Sequence, residues 1–345
     1  MAVFLGHAAV FVMPSLPSFI SGNAGEAVAV FFVLSGFVIS FVANEKEHSC
    51  GAYLIARVSR IYSVAILAIL ITFISDTIGT LCNLNYYLGL SFYNTENWMN
   101  LFKNLTFLNE LWYEHSVYGT NEPYWSLAFE VWYYIFFGIV YFLPAGFKLP
   151  AVIFWILICG PKISLYLPLW LMWLIGVADY ICTMRGYLQI RKYYAAMLMI
   201  FTVILYISVK KLFSHMTTMR GPMFEWHGYK SEIVSFIYFM LIGFIIFINI
   251  ISFDKLVSRD FWNSSFERRL RWFAGASFTL YLLHMPILIL IGALDPDVKA
   301  SPILGVISIL FTLLMILVFA ELGERKKSAY AHAISWVFSS RTPPN

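Results

Sequence analysis

The sequence predicts an all-α fold: a polytopic membrane bundle of about ten transmembrane helices with both termini cytoplasmic. Three observations carry this. The 345 residues are 60% hydrophobic and 19% aromatic, with only 12% charged, more apolar surface than a soluble domain is able to hide. Apolar runs recur along the whole chain at close to the ~20 residues that cross a hydrocarbon core as a helix. Basic residues collect in the short segments between those runs.

The runs fall at roughly 1–14, 27–43, 53–75, 124–143, 150–160, 165–182, 193–210, 233–251, 272–293 and 302–322. The first and fifth are short for a full crossing. The first is already apolar at Met1, so its helix is read as truncated at the N-terminus. With the N-terminus inside, 16 of the 23 basic residues fall on the inner side, among them Lys46, Arg57, Arg60, Arg185, Arg259 and Arg341. The outer side takes seven, including Lys103, Lys162, Arg220 and Lys230. That asymmetry is the positive-inside bias of a protein with both termini in the cytoplasm.

The longest connection, 79–123, is placed outside. It interleaves Asn83, Asn94, Glu96, Glu110, Glu114 and Glu122 with Tyr86, Tyr87, Trp98, Trp112 and Tyr113, a mixture suited to a carbohydrate surface or to an interfacial aromatic belt. The end Glu324-Arg325-Lys326-Lys327 reads as a basic tail near anionic lipid. Cys50, Cys82, Cys159 and Cys182 have neither metal-ligand nor CxxC spacing, so no metal site and no disulfide framework is indicated. The start lacks a charged segment, so no cleavable signal peptide is expected. Scattered basic residues argue against a nucleic-acid partner. Without a repeat or second composition, 1–345 reads as one integral domain of the cytoplasmic membrane.

Within this frame a few polar residues stand out, because an ionisable group at bilayer depth is costly and usually faces a bundle interior or a wet cavity. His7 is one. A neutral imidazole accepts a hydroxyl proton, which acyl transfer to an alcohol requires; the structural alternative is a packing histidine bonded to the next helix. Ser35 and Gly36 let a neighbouring helix approach closely. Arg57 and Arg60 stand three apart on one helix face, a fork for a phosphate-rich ligand such as coenzyme A, or an ordinary positive-inside anchor. Glu130 follows Trp125 and Ser126 in an aromatic helix and needs a cation such as Arg57, a histidine to orient, or a structural bridge. Tyr281 and His284 share a face, and Pro286 beyond them frees a backbone carbonyl and bends the helix, often near a cavity. Glu321 and Glu324 read as helix-terminal ion-pairing residues.

In this order the segments resemble the acyltransferase 3 family of integral-membrane O-acyltransferases, whose members acylate sugars of lipopolysaccharide, exopolysaccharide and related glycans. The likeness rests on His7, on Phe31-Phe32-Val33-Leu34-Ser35-Gly36-Phe37, on Arg57 with Arg60, and on Trp125-Ser126-Leu127 with Glu130. Tyr281, His284, Pro286 and Glu324 complete it. Three positions differ from the family pattern: no arginine precedes His7, Ala29 stands where many members are acidic, and Glu324-Arg325-Lys326 lacks a proline.

The resemblance implies a sugar O-acetyltransferase. His7 and Glu130 would be catalytic, and Arg57 and Arg60 would hold acyl-CoA, with acetyl-CoA the expected donor. Ser35, Trp125, Ser126, Tyr281 and His284 would shape the active-site cavity. The acceptor would be a glycan or lipid-linked saccharide, with membrane lipids around the bundle and neither metal nor bound cofactor expected. The rival readings are a proton-coupled transporter or flippase of a sugar or lipid-linked glycan, with His7, Glu130 and His284 as a relay, and a non-catalytic membrane scaffold.

Overall fold

The computed structural model describes residues 1–93, 98–164, 166–184, 190–214, 229–257 and 265–339. Of the residues weighed from the sequence, Asn94, Glu96, Arg185, Arg220, Arg259 and Arg341 lie outside them. Among the described residues the chain is helical without strands. In order come α1 (Ala2–Phe11), α2 (Ser18–Ser21), α3 (Ala24–Glu45), α4 (Cys50–Leu88), α5 (Trp98–Leu105), α6 (Trp125–Phe142) and α7 (Ala145–Ser164). Then follow α8 (Leu167–Met184), α9 (Lys192–Ser214), α10 (Tyr229–Leu256), α11 (Ser265–Ala274), α12 (Ser277–Leu294), α13 (Pro302–Leu322) and α14 (Lys327–Ser339). Among the described residues, eight helical stretches are long and apolar enough to cross a bilayer, while α1 and α8 are apolar but shorter. The protein is therefore a multi-pass membrane protein.

Contacts divide the chain into two compact units. The first comprises Met1–Ala24, Ser49–Ser164 and Arg269–Asn345. Its core joins α1 to α12: Phe4, Ala8, Phe11 and Val12 pack with Met285, Leu288, Ile289 and Ala293 around buried Tyr87. Phe4, Ala8 and Phe11 follow helical spacing, so His7 is carried on the flank of the seam that faces α12. The long helix α4 is interrupted at Asn83 (φ −152°, ψ 77°). There the side chain accepts from Tyr86 N at 3.1 Å, so the asparagine caps a short second piece that ends at Leu88.

Two expectations change. The fifth run is not short: α7 spans Ala145–Ser164 and passes through Gly160 at φ +68° ahead of Pro161. Only glycine takes that conformation cheaply, and a Cβ there would also strike Trp112. The connection 79–123 is not an open surface either. Residues to Leu88 continue α4, Trp98–Leu105 is helical, and Asn109, Glu110, Thr120 and Asn121 are buried. Trp98 and Tyr113 do project, exposed by 86% and 81%.

The second unit comprises Gly25–His48 and Leu165–Arg268. Here α3 and α8 cross where both lack bulk: a Cβ on Gly36 would meet the Trp173 carbonyl, and one on Gly176 the Val33 carbonyl. Close backbone approach through small residues is how membrane helices gain packing energy without a hydrophobic drive. Polar side chains also join α3, α9 and α10. Glu26 accepts from Tyr238 at 2.7 Å and pairs with Lys210 at 3.2 Å, and Asn249 donates to Thr202 at 3.2 Å.

Candidate active site

His7 and His284, 277 residues apart, lie in the first unit with His7 Nδ1 2.7 Å from His284 Nε2. The second nitrogen of His284, Nδ1, is 2.8 Å from the carbonyl oxygen of Leu280. A carbonyl only accepts, so His284 carries its proton on Nδ1 and offers a lone pair at Nε2. His7 must then donate from Nδ1, which leaves the lone pair of His7 on Nε2. That nitrogen has no hydrogen-bond partner among the described residues, and His7 is only half-buried whereas His284 is 0% exposed. Backbone geometry on α12 thus sets the tautomer of a ring on α1.

One turn before His284, Tyr281 meets Ser126 at 2.7 Å between hydroxyl oxygens. Ser126 also donates to the Pro123 carbonyl at 3.2 Å, so Tyr281 is the donor in the pair. Trp125 packs edge-on against Phe129. Glu122, just ahead, lies within electrostatic reach of both His7 and Tyr281. One of its oxygens is 3.3 Å from His115 Nε2, and the other is buried without a partner among the described residues.

What holds Glu122 and Ser126 there is a set of buried contacts absent from the sequence reading. Asp76 on α4 accepts from Thr120 N at 2.8 Å and from Thr120 Oγ1 at 2.6 Å. Gly119, at φ +59°, turns the chain against that carboxylate, where a Cβ would collide. Asn121 donates to Thr72 Oγ1 and to the Leu282 carbonyl, both at 3.0 Å. The Leu282 carbonyl is the one that Pro286 leaves without its helical donor. A polar segment is thereby pinned between α4 and α12. The available signal was Asp76 itself, an ionisable residue where the helix of the third run continues.

His115 in the same segment faces Glu110 at 2.7 Å through Nδ1 and Glu122 through Nε2. Those two carboxylates raise its pKa from the ordinary histidine value to about 10, so it stands as an imidazolium between them. Lys162 bonds Glu110, and Lys103 bonds Glu114. The hydrogen bonds from Lys103 and Ser116 hold the Glu114 carboxyl below its ordinary range.

The other polar group of this unit centres on Glu130, 1% exposed on α6. It accepts from Tyr134 one turn on and lies within electrostatic reach of Arg60, Arg57 and Tyr281. Arg57 is buried between the rings of Tyr53 and Tyr134, 5.7 and 5.6 Å from their centroids. Glu130 therefore sits with the arginines, and among the described residues it makes no hydrogen bond to His7. Ser35 is buried on α3 of the second unit.

Glu324 differs from its expected role. Glu321 pairs with Arg325, whereas Glu324 Oε2 accepts from Phe278 N, Thr279 N and Thr279 Oγ1 at 3.1, 2.9 and 3.0 Å. Ala276 at the start of α12 has no side chain to cap the helix, and a carboxylate at a helix N-terminus meets both the orphan N–H groups and the dipole. Glu324 thus anchors the helix that carries Tyr281 and His284.

A family model described as an acyltransferase domain matches residues 1–321. No curated protein and no solved structure gives a significant match.

Proposed function

Because the chain belongs to the acyltransferase 3 family, we propose that this membrane acyltransferase moves an acetyl group from acetyl-CoA to a hydroxyl of a cell-envelope or secreted polysaccharide, or of a lipid-linked saccharide, at the cytoplasmic membrane. The observation that carries the mechanism is the Leu280–His284–His7 chain, which presents the Nε2 lone pair of His7 as the general base.

The acceptor hydroxyl gives its proton to His7 Nε2 as its oxygen attacks the thioester carbonyl. Collapse of the tetrahedral intermediate breaks the carbon–sulfur bond, and the departing thiolate takes the proton back from His7. The products are the ester and free thiol, with no net proton released. Glu122 favours the imidazolium while it exists, since a carboxylate within reach stabilises the charged form. Tyr281, donating to Ser126, and Trp125 form the wall beside the acceptor. Arg57 and Arg60 hold the phosphates of the donor, and Glu130 with Tyr134 sets the position of those guanidinium groups.

The test is transfer of labelled acetyl from acetyl-CoA in membranes containing this chain, beside His7→Ala at matched protein level. Proton transfer by a positioned base contributes about 10²–10⁴-fold, so the variant is expected to lose at least 100-fold. Transfer that survives His7→Ala overturns the mechanism.

A further inference from the structure

Helix α11 lies between two helices that are long and apolar enough to cross a bilayer, α10 and α12. Its 10 residues reach only ~15 Å, half of a hydrocarbon core, so it does not span. Its sequence, Ser-Phe-Glu-Arg-Arg-Leu-Arg-Trp-Phe-Ala, is sharply two-sided. Phe266, Leu270 and Phe273, at i, i+4 and i+7, make one face and are exposed by 61%, 47% and 59%. Arg268 and Arg271 project from the opposite side, and Arg269 lies at the border of the apolar face; all three are exposed. The one acidic residue, Glu267, is buried on a flank.

The end of the helix is clamped. Arg325 stacks on Trp272 with its guanidinium 3.9 Å from the ring centroid and donates to the Trp272 carbonyl at 2.8 Å. The next residues, Lys326 and Lys327, are exposed and basic.

We propose that α11 lies in the plane of the membrane surface and is a recognition site for anionic phospholipid headgroups. An apolar face sunk to the headgroup boundary with arginines above it is the geometry of an interfacial helix. Arginine pairs bidentately with phosphate, and each basic residue held near an anionic surface adds about fivefold to its binding. The apolar face decides between sources of phosphate: Phe266, Leu270 and Phe273 find a partner in acyl chains and none in a water-soluble nucleotide. None of its residues is assigned a part in acyl transfer, and its test reads no catalysis.

The full-length chain is purified in micelles doped with phosphatidylglycerol or phosphatidylcholine, and its unfolding midpoint is followed as each lipid is titrated. Phosphatidylglycerol is expected to raise the midpoint at a lower mole fraction than phosphatidylcholine. In Arg268→Gln/Arg269→Gln the half-maximal mole fraction of phosphatidylglycerol rises about 25-fold, while the phosphatidylcholine titration stays unchanged. Salt at 0.5 M does the same to the wild type by screening. An unaltered phosphatidylglycerol titration in the double variant overturns the proposal. So does a preference abolished by Lys326→Gln/Lys327→Gln alone, which assigns it to the tail. A coenzyme A-induced shift, measured without phosphatidylglycerol and lost in the arginine variant, assigns the surface to a nucleotide and overturns it as well.

Discussion

Replacing His284 by phenylalanine keeps a ring on α12 while removing the acceptor at Nε2, together with the Nδ1–H that donates to the Leu280 carbonyl. In the wild type the Nδ1 proton of His7 is held 2.7 Å from that acceptor. Leaving a buried donor without a partner costs about 1–3 kcal/mol. His7 avoids that cost by moving its proton to the open Nε2, which is the nitrogen required as base. The productive tautomer then becomes the minor one by the same free energy, a factor of about 5 to 150 in rate, in the range that partners fixing a histidine's orientation command elsewhere. The assay is steady-state acetyl transfer with acetyl-CoA varied at fixed acceptor. The fall belongs in kcat, with KM for the donor unchanged, since His284 touches no part of the donor in the proposed mechanism. His284→Gln, whose amide oxygen offers an acceptor near the same place, is expected to recover part of the loss. A phenylalanine variant with wild-type kcat refutes the tautomer argument. Equal inactivity of both variants with a raised donor KM refutes it too, because that pattern belongs to a displaced helix.

Three further outcomes are expected. Glu324→Gln weakens three hydrogen bonds to the start of α12 and removes the charge that complements its dipole, so unfolding in detergent should come about 1–2 kcal/mol easier; an unchanged midpoint contradicts the capping role. His115 is held between two carboxylates with its pKa raised to about 10, and a histidine raised in the folded state stabilises most below its unfolded value near 6.5. The stability difference between wild type and His115→Gln should therefore be constant below about pH 6.5, decline as pH rises, and vanish above about 10. Its plateau should be on the order of 1 kcal/mol, because the ring is half exposed to screening solvent; a difference that grows with pH contradicts the assignment. Asp179 on α8 is 0% exposed, and neither of its carboxylate oxygens has a hydrogen-bond partner among the described residues. Asp179→Asn should stabilise the fold by on the order of 1 kcal/mol, read as a raised unfolding midpoint, and a lowered midpoint would mean that the carboxylate is held by something bound.

By itself the sequence determined the solvent of this protein and much of its architecture. Apolar runs near 20 residues must be helices in a bilayer, because no other open structure satisfies the backbone there, and among the described residues each of the ten runs carries a helix. It also singled out His7, His284, the Arg57–Arg60 pair and the carbonyl that Pro286 frees, since ionisable residues and prolines stand out against an apolar background. The tight crossing at Gly36 was legible for the same reason.

Partners were not legible. His7 meets His284 across 277 residues, Asn121 reaches the Leu282 carbonyl across 161, and Thr120 reaches Asp76 across 44. Local pattern records that a side chain is polar, while packing decides which donor or acceptor comes within 3 Å of it. The segment before Trp125 reads as an open loop because polar residues mark water or a polar interior alike, and only the fold shows it pinned between α4 and α12. Glu324 looked like a member of a charged helix end, and the close packing of α13 and α12 turned it into a cap. The nitrogen of His7 that carries the lone pair depends on a carbonyl two hydrogen bonds away, on another helix, so it was set by the tertiary structure.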